Sequence, residues 1–380
     1  MTAVLDYLER QREAMLRDLR EFVERESPST DKARADAFAR FLAGRAEHLT
    51  GGEVKVVSQD DWGDHLLLRV GGGEDPSILL VGHYDTVWPA GTLGSMPFRL
   101  EGECAYGPGV FDMKCGLVQG LWAIRALHET GREHPPLVFL INSDEEMGSP
   151  SSRGLIEAEA RRAAACLILE PSFHGALKTA RKGVGIFSLR VTGRASHAGS
   201  EPFEGVSAIE EICRQTLDLH AQTNPRTGTT VNVGVIAGGT RANVVAAEAR
   251  AEIDLRVASR AEAERMTALI LGLRPHHPEA RVQVEGGMNR PPMERTPQVV
   301  RLFAHARELA RDLGFELEEA AVGGGSDGNF CATVNPAVVD GLGAVGDGAH
   351  ALHEHVLIPH MAPRAALVAR LLETVVEVVR

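Results

Sequence analysis

The chain has 380 residues, 44 % of them hydrophobic and only 5 % aromatic, with a formal net charge of −12. That length exceeds one average domain, and the aliphatic share supports a sizeable core. The acidic balance argues against a nucleic-acid partner, and no apolar run approaches the roughly 20 residues that cross a bilayer.

Met1 to Glu26 reads as an amphipathic surface helix (Val4, Leu5, Leu8, Leu16, Leu19, Phe22) ended by Ser27-Pro28-Ser29, not as a signal peptide. The cysteines are five, an odd number, without CxxC spacing, so a reduced cytoplasmic protein lacking structural disulfides is expected. Ser77–Gly82 predicts a strand, Met113–Glu129 a buried helix and Leu137–Asn142 a second strand. Ser151–Ala165 predicts a helix capped by Ser149 or Ser151, and Cys166–Leu169 a short buried strand. This alternation predicts an α/β fold with a mixed, mostly parallel sheet flanked by helices.

The pattern changes near Lys178. Gly185–Gly193, Thr229–Ala237, Ala246–Val257 and Arg281–Glu285 predict strands, with helices at Glu204–Ala221 and Arg260–Leu273. The order β-α-β-β-α-β predicts a ferredoxin-like α+β domain. Gly286–Pro292 reads as a linker back, followed by helices Thr296–Leu313 and Ala362–Val379 with the apolar stretch Ala337–Val339 between them. Residues 1–179 and 289–380 are thus expected to form one domain, split by an insertion over 180–288.

Chemistry-bearing residues cluster just after the predicted strands of the first half, where open α/β sheets place their ligand crevices. His83 and Asp85 form His-x-Asp, and residues two apart in an extended segment face the same way, so the Asp85 carboxylate can fix the His83 tautomer. Asp112 follows a Gly-Pro-Gly turn and either caps the next helix or bridges two cations. Asp144, Glu145 and Glu146 repel one another unless solvated or countered by a cation. One of the two glutamates can then ligate while its neighbour shuttles protons. Glu170 ends a buried strand before Pro171. Among His350, His353 and His355, the first directly follows a glycine turn and is the chosen ligand. Three carboxylates and a hydroxide balance two divalent ions, and a nitrogen and oxygen donor set without thiolate suits zinc while tolerating cobalt or manganese.

With these residues in view, the chain resembles the glutamate carboxypeptidase / aminoacylase / acetylornithine deacetylase family of dinuclear zinc hydrolases. The likeness runs almost end to end and rests on seven ordered motifs. They are Gly82-His83-Tyr84-Asp85-Thr86-Val87, Tyr106 to Lys114, Asp144 to Ser149, Glu170-Pro171-Ser172, Ala195-Ser196-His197-Ala198-Gly199, Gly323 to Asp327 and Gly348-Ala349-His350. Cys115 and Phe111 depart from the usual pattern, at positions that are not ligands.

The resemblance implies two Zn2+ per subunit: Asp112 bridging, His83 and Glu170 completing one ion, Glu146 and His350 the other. It implies Glu145 as general base, Asp85 supporting His83, and an inserted lid domain that forms a homodimer and carries His197 to the partner's site. Within the family the likeness to glutamate carboxypeptidase points to Lys178, Asn243, Arg256, Arg290 and Gly325 as substrate-binding positions. The two arginines suit carboxylates, or else pair with acids such as Glu252 or Glu294. The expected activity is release of a C-terminal amino acid, glutamate foremost, from peptides or N-acyl conjugates through a metal-bridging hydroxide. The alternative is an N-acyl-amino-acid deacylase.

Overall fold

The computed structural model describes residues 3–72 and 78–379. The chain forms two compact units, one of residues 1–179, 295–321 and 326–380, the other of residues 180–294 and 322–325.

The first unit is built on a six-stranded sheet. Its strands in spatial order are Glu53–Val57, His65–Val70, Leu137–Asn142, Ile78–His83, Ala165–Ile168 and Val338–Val339. The last four run parallel, and His65–Val70 pairs antiparallel with both of its neighbours. Of the first strand predicted above, Ser77 lies outside the described residues. Ile78–His83, Leu137–Asn142 and Ala165–Ile168 are buried throughout, as expected for strands covered on both faces.

Helices Cys115–Glu129 and Met361–Val379 pack against each other and bury residues on every face. Gly116 allows Cys115–Glu129 to approach the sheet: a Cβ there would sit 2.1 Å from the Leu169 carbonyl oxygen. That contact fixes the chain just before Glu170.

The N-terminal segment differs from the surface helix expected from its pattern. It breaks at Gln11 into Ala3–Arg10 and Arg12–Val23, whose Val4, Leu8, Met15, Leu19 and Phe22 are fully buried in the main core. Its polar face is the side left to solvent. The helix predicted over Ser151–Ala165 is shorter, Arg153–Arg162, and neither serine caps it. Instead the Asp144 carboxylate accepts the N–H groups of Ser151 (2.7 Å) and Ser152 (3.2 Å).

The second unit is a four-stranded antiparallel sheet with two helices, Ala208–His220 and Arg260–Leu271. Its strand order is Thr230–Gly238, Glu248–Val257, Gly183–Thr192, Arg281–Arg290, the ferredoxin-like arrangement. In Glu248–Val257 the residues Ala249, Ala251, Ile253, Leu255 and Val257 share the buried face. Helix Ala208–His220 starts later than expected because Ser207 caps it, accepting from Glu210 N at 3.1 Å. The expected linker Gly286–Pro292 is mostly strand: Gly286 to Met288 pair with Phe187 to Gly185. Backbone pairing overrides the glycines there, since a strand partner supplies the order that the residues lack. Among the described residues no helix is long and apolar enough to cross a membrane.

Candidate metal centre

His83 ends its strand, opposite Asn142 of the neighbouring strand. Its Nδ1–H donates to the Asp85 carbonyl at 3.0 Å, with the Asp85 carboxylate at 3.3 Å. A carbonyl only accepts, so the proton sits on Nδ1 and the Nε2 lone pair faces the site. The carboxylate of Asp85, fully buried, also accepts from Ser29 Oγ (2.7 Å) and from the backbone N–H groups of Glu145 and Glu146 (3.2 Å each). Asp85 therefore orients His83 mainly through its backbone, and positions the two glutamates through its side chain.

Asp112 lies in the turn Val110–Lys114, entered by Gly109 at φ 71°. Its own φ/ψ of −113°/95° are not helical, it caps nothing, and the Asp112–Met113 peptide is cis. The N-cap alternative is removed because helix Cys115–Glu129 is preceded by Lys114 and receives no side-chain cap, and the carboxylate points elsewhere. Asp112 Oδ1 lies 3.3 Å from His83 Nε2, while Oδ2 lies 3.5 Å from His350 Nε2. Glu170 Oε1 is 3.5 Å from His83 Nε2, and Glu146 Oε2 is 3.2 Å from His350 Nε2. Two donor triads result, His83–Asp112–Glu170 and Asp112–Glu146–His350, each with its atoms within 4.8 Å of one another. Glu145 sits beside them, partly exposed, at the start of the short turn Glu145–Met147. His355 instead packs its ring against Tyr106, with centroids 5.2 Å apart and the planes tilted by 34°.

The triads suit divalent cations. Donors on a tetrahedral ion with bonds of about 2.0–2.2 Å are about 3.4 Å apart, close to the separations above. Asp112 Oδ1 and Glu146 Oε1 are buried without a hydrogen-bond partner among the described residues, which is costly unless a cation meets them. The electrostatics agree. Although burial opposes it, the surrounding carboxylates of Asp112, Asp85 and Glu170 raise the His83 pKa well above its usual value. Asp112 and Glu146 push His350 up to about 10. Burial, with the charge of Asp112 adding to it, pushes Glu146 up to about 7. The pocket calls for positive charge. The His83 side is almost closed to solvent, whereas the His350 side chain is 51 % exposed.

The other positions named from sequence fall in both units. Lys178, in the first unit, exchanges backbone hydrogen bonds with Asp340. In the second unit His197 bridges to Val244, and the Asn243 carbonyl accepts from Ala198 N at 3.0 Å, so His197 and Asn243 share one corner. His197 Nδ1 accepts from Gly199 N (3.1 Å) and Ser200 N (3.0 Å), which leaves Nε2 as the protonated, exposed nitrogen. Arg256 is bidentate to Asp254 at 2.8 Å, so its pairing is with Asp254 and not Glu252. Glu294 accepts from Arg260 N, and Arg290 Nη1 donates to Asn289 Oδ1 at 3.1 Å. Arg290 is buried beside Gly325, where a Cβ would fall 2.7 Å from Arg290 Cδ.

Three residues, of which only Asp144 drew notice in the sequence, have supporting roles that the sequence reading did not assign. Glu354 is fully buried and accepts four hydrogen bonds from around the Asp112 turn. Asp144 receives the serine N–H and hydroxyl groups after Glu146. Arg364 donates to the carbonyls of Gly343 (3.2 Å), Gly175 (3.1 Å) and Gly341, and Gly343 N in turn donates to the Glu170 carbonyl. A charged residue inside an apolar helix (Arg364), or between two histidines in a glycine-rich loop (Glu354), was the only available signal.

A mostly parallel α/β sheet with an inserted split-βαβ domain is the peptidase fold also seen in solved structures. Aminopeptidase PepT of Bacillus cereus superposes with a TM-score of 0.78 at 23 % identity, over 97 % of this chain and 99 % of that one. The chain belongs to Peptidase family M20/M25/M40, whose profile matches residues 79–374. It is 30 % identical to carboxypeptidase G2 of a Pseudomonas species, over 94 % of this chain and 88 % of the relative. It is 27 % identical to succinyl-diaminopimelate desuccinylase of Acinetobacter baylyi, over 85 % and 89 %. It is accordingly a hydrolase of the metallopeptidase and amidohydrolase kind.

Proposed function

We propose that this enzyme is a dinuclear zinc amide hydrolase that releases a C-terminal amino acid, glutamate foremost, from peptides or N-acyl conjugates. The observation that carries the reading is one carboxylate, Asp112, offering a separate oxygen to each of two donor triads. His83 and Glu170 hold one ion with it, Glu146 and His350 the other. When bound, the ions supply Lewis acidity and bring the pKa of water to about 7.

The protein's own groups supply the rest. Glu145, held by Asp85 at its backbone, takes a proton from the attacking water and returns it to the leaving amine. His197, whose Nδ1 is occupied by two backbone donors, offers Nε2–H to the developing oxyanion. Arg290, beside Gly325, suits a substrate carboxylate, and Lys178 and Asn243 are the further substrate-binding candidates. Arg256 contributes less, because Asp254 already engages its Nε and Nη2.

A homodimer through the inserted unit belongs to this reading. Strand Thr230–Gly238 is a sheet edge with exposed Val235 and Ile236, and helix Ala208–His220 exposes Leu217. The likeness to carboxypeptidase G2 supports a carboxypeptidase. The likeness to succinyl-diaminopimelate desuccinylase favours the second reading, an N-acyl-amino-acid deacylase.

A panel of acyl-glutamates against N-acetyl and N-succinyl amino acids, run on zinc-loaded protein, separates the two. Preferential glutamate release supports the first. Release from acetyl or succinyl substrates alone selects the second, and full activity after exhaustive chelation ends both.

A further inference from the structure

Glu354 is placed to govern one half of the metal centre. Its Oε1 accepts from Phe111 N (2.9 Å) and Asp112 N (3.0 Å). Its Oε2 accepts from Gly109 N (2.9 Å) and Trp88 Nε1 (2.8 Å). One buried carboxylate thus satisfies three backbone donors, those of Gly109, Phe111 and Asp112, in the turn that presents Asp112.

The same residue closes the loop that presents His350. Glu354 N donates to the Ala351 carbonyl at 2.9 Å, and Gly348, at φ +82°, packs so tightly that a Cβ would fall 2.9 Å from Glu354 N. His350 itself has φ 62°, a left-handed conformation that a non-glycine residue rarely adopts. Closure at Glu354 holds it there. The two loops also leave neighbouring strands, because His355–Leu357 pairs with Cys104–Tyr106. Glu354 therefore ties Asp112 and His350 at a second point, beyond the strand pairing.

The remaining ligands are held by other means. His83 ends a central strand, the Glu170 carbonyl accepts from Gly343 N, and Glu146 N donates to Asp85. We propose that Glu354 is a positioning residue for the Asp112–His350 half of the centre, so that its loss weakens the ion on Glu146 and His350 selectively. That ion has two ligands on the loops Glu354 joins, whereas the ion on His83 and Glu170 has one. The inference rests on the dinuclear reading above.

The test is zinc content per chain, measured against buffered free zinc for wild type, Glu354→Gln and Trp88→Phe. Glutamine keeps the shape but turns an N–H toward backbone N–H donors in either amide orientation. Trp88→Phe removes one donor at a half-buried position and leaves the fold unburdened. Wild type should lose its two ions in two steps. In Glu354→Gln the weaker step should shift by about 10- to 100-fold, the range for supporting residues around a metal, while the tighter step stays within about threefold. Trp88→Phe should shift the same step in the same direction by less. Equal shifts at both steps, or an unchanged weaker step in Trp88→Phe, overturn the proposal. A wild type that never holds two ions overturns the dinuclear reading instead.

Discussion

Replacing Arg364 with methionine removes a fully buried cation from the helix Met361–Val379. Its guanidinium donates to the carbonyls of Gly343, Gly175 and Gly341, and burial alone pulls it down to about 10. Hydrogen bonds from a charged donor contribute about 1.5–3 kcal/mol each, so the three together stabilise by roughly 4–9 kcal/mol. Against this, the depression to about 10 corresponds to a burial penalty of about 3 kcal/mol, which the substitution relieves. The net loss should be roughly 1–6 kcal/mol, a range that includes the cost of removing one partner from other buried ionic sites. Denaturant unfolding of metal-free protein measures it, since bound ions would add their own stabilisation. Arg364→Lys keeps the charge but cannot reach three carbonyls at once, so it should fall between. A loss below about 1 kcal/mol for Arg364→Met would mean that the carbonyls find other partners and that the bracing of the Glu170 loop lies elsewhere.

His197→Ala should keep its full zinc content and lose about 10²- to 10³-fold in kcat, and mixing it with Asp112→Ala protein should restore some turnover if sites are shared between subunits. Glu145→Gln should bind zinc like wild type yet lose at least about 10²-fold in turnover; an unchanged rate assigns the proton transfer to another group. Burial raises the Glu211 pKa, but Gln215 and the backbone N–H groups of His276 and His277 outweigh it, so the folded value lies below 4.5. Its contribution is therefore complete above the unfolded value near 4.5 and lost as pH falls below it. Glu211→Gln should flatten the acid limb of the stability curve, and an unaltered limb refutes the assignment. Ser207→Ala should cost about 1 kcal/mol in unfolding measurements through loss of its cap on Glu210 N.

Much of this protein was written locally. Uninterrupted apolar runs mark Leu137–Asn142 and Ala165–Ile168 as buried strands, and strict alternation marks Glu248–Val257 as a sheet with one face buried. The candidate ligand residues lie at or just after such strands, so His83, Glu146 and Glu170 could be picked out from neighbours a few positions away. Local rules failed where partners are remote. The expected linker at Gly286–Pro292 became strand because Gly185 to Phe187 pair with it. The N-terminal amphipathic pattern revealed an apolar face but not the depth of the core that receives it.

The sequence by itself marked several strands and helices, Leu137–Asn142 and Glu248–Val257 among them, because side-chain periodicity and turn residues act over a few positions. It also named the candidate donors, since carboxylate and imidazole chemistry belongs to single residues. Only the tertiary structure decided that one aspartate serves two triads, that His350 enters the site while His355 packs against Tyr106, and that Glu354 grips a turn more than 240 residues earlier in the chain. Those are matters of distance and direction between segments, and they are set by the packing of the whole core.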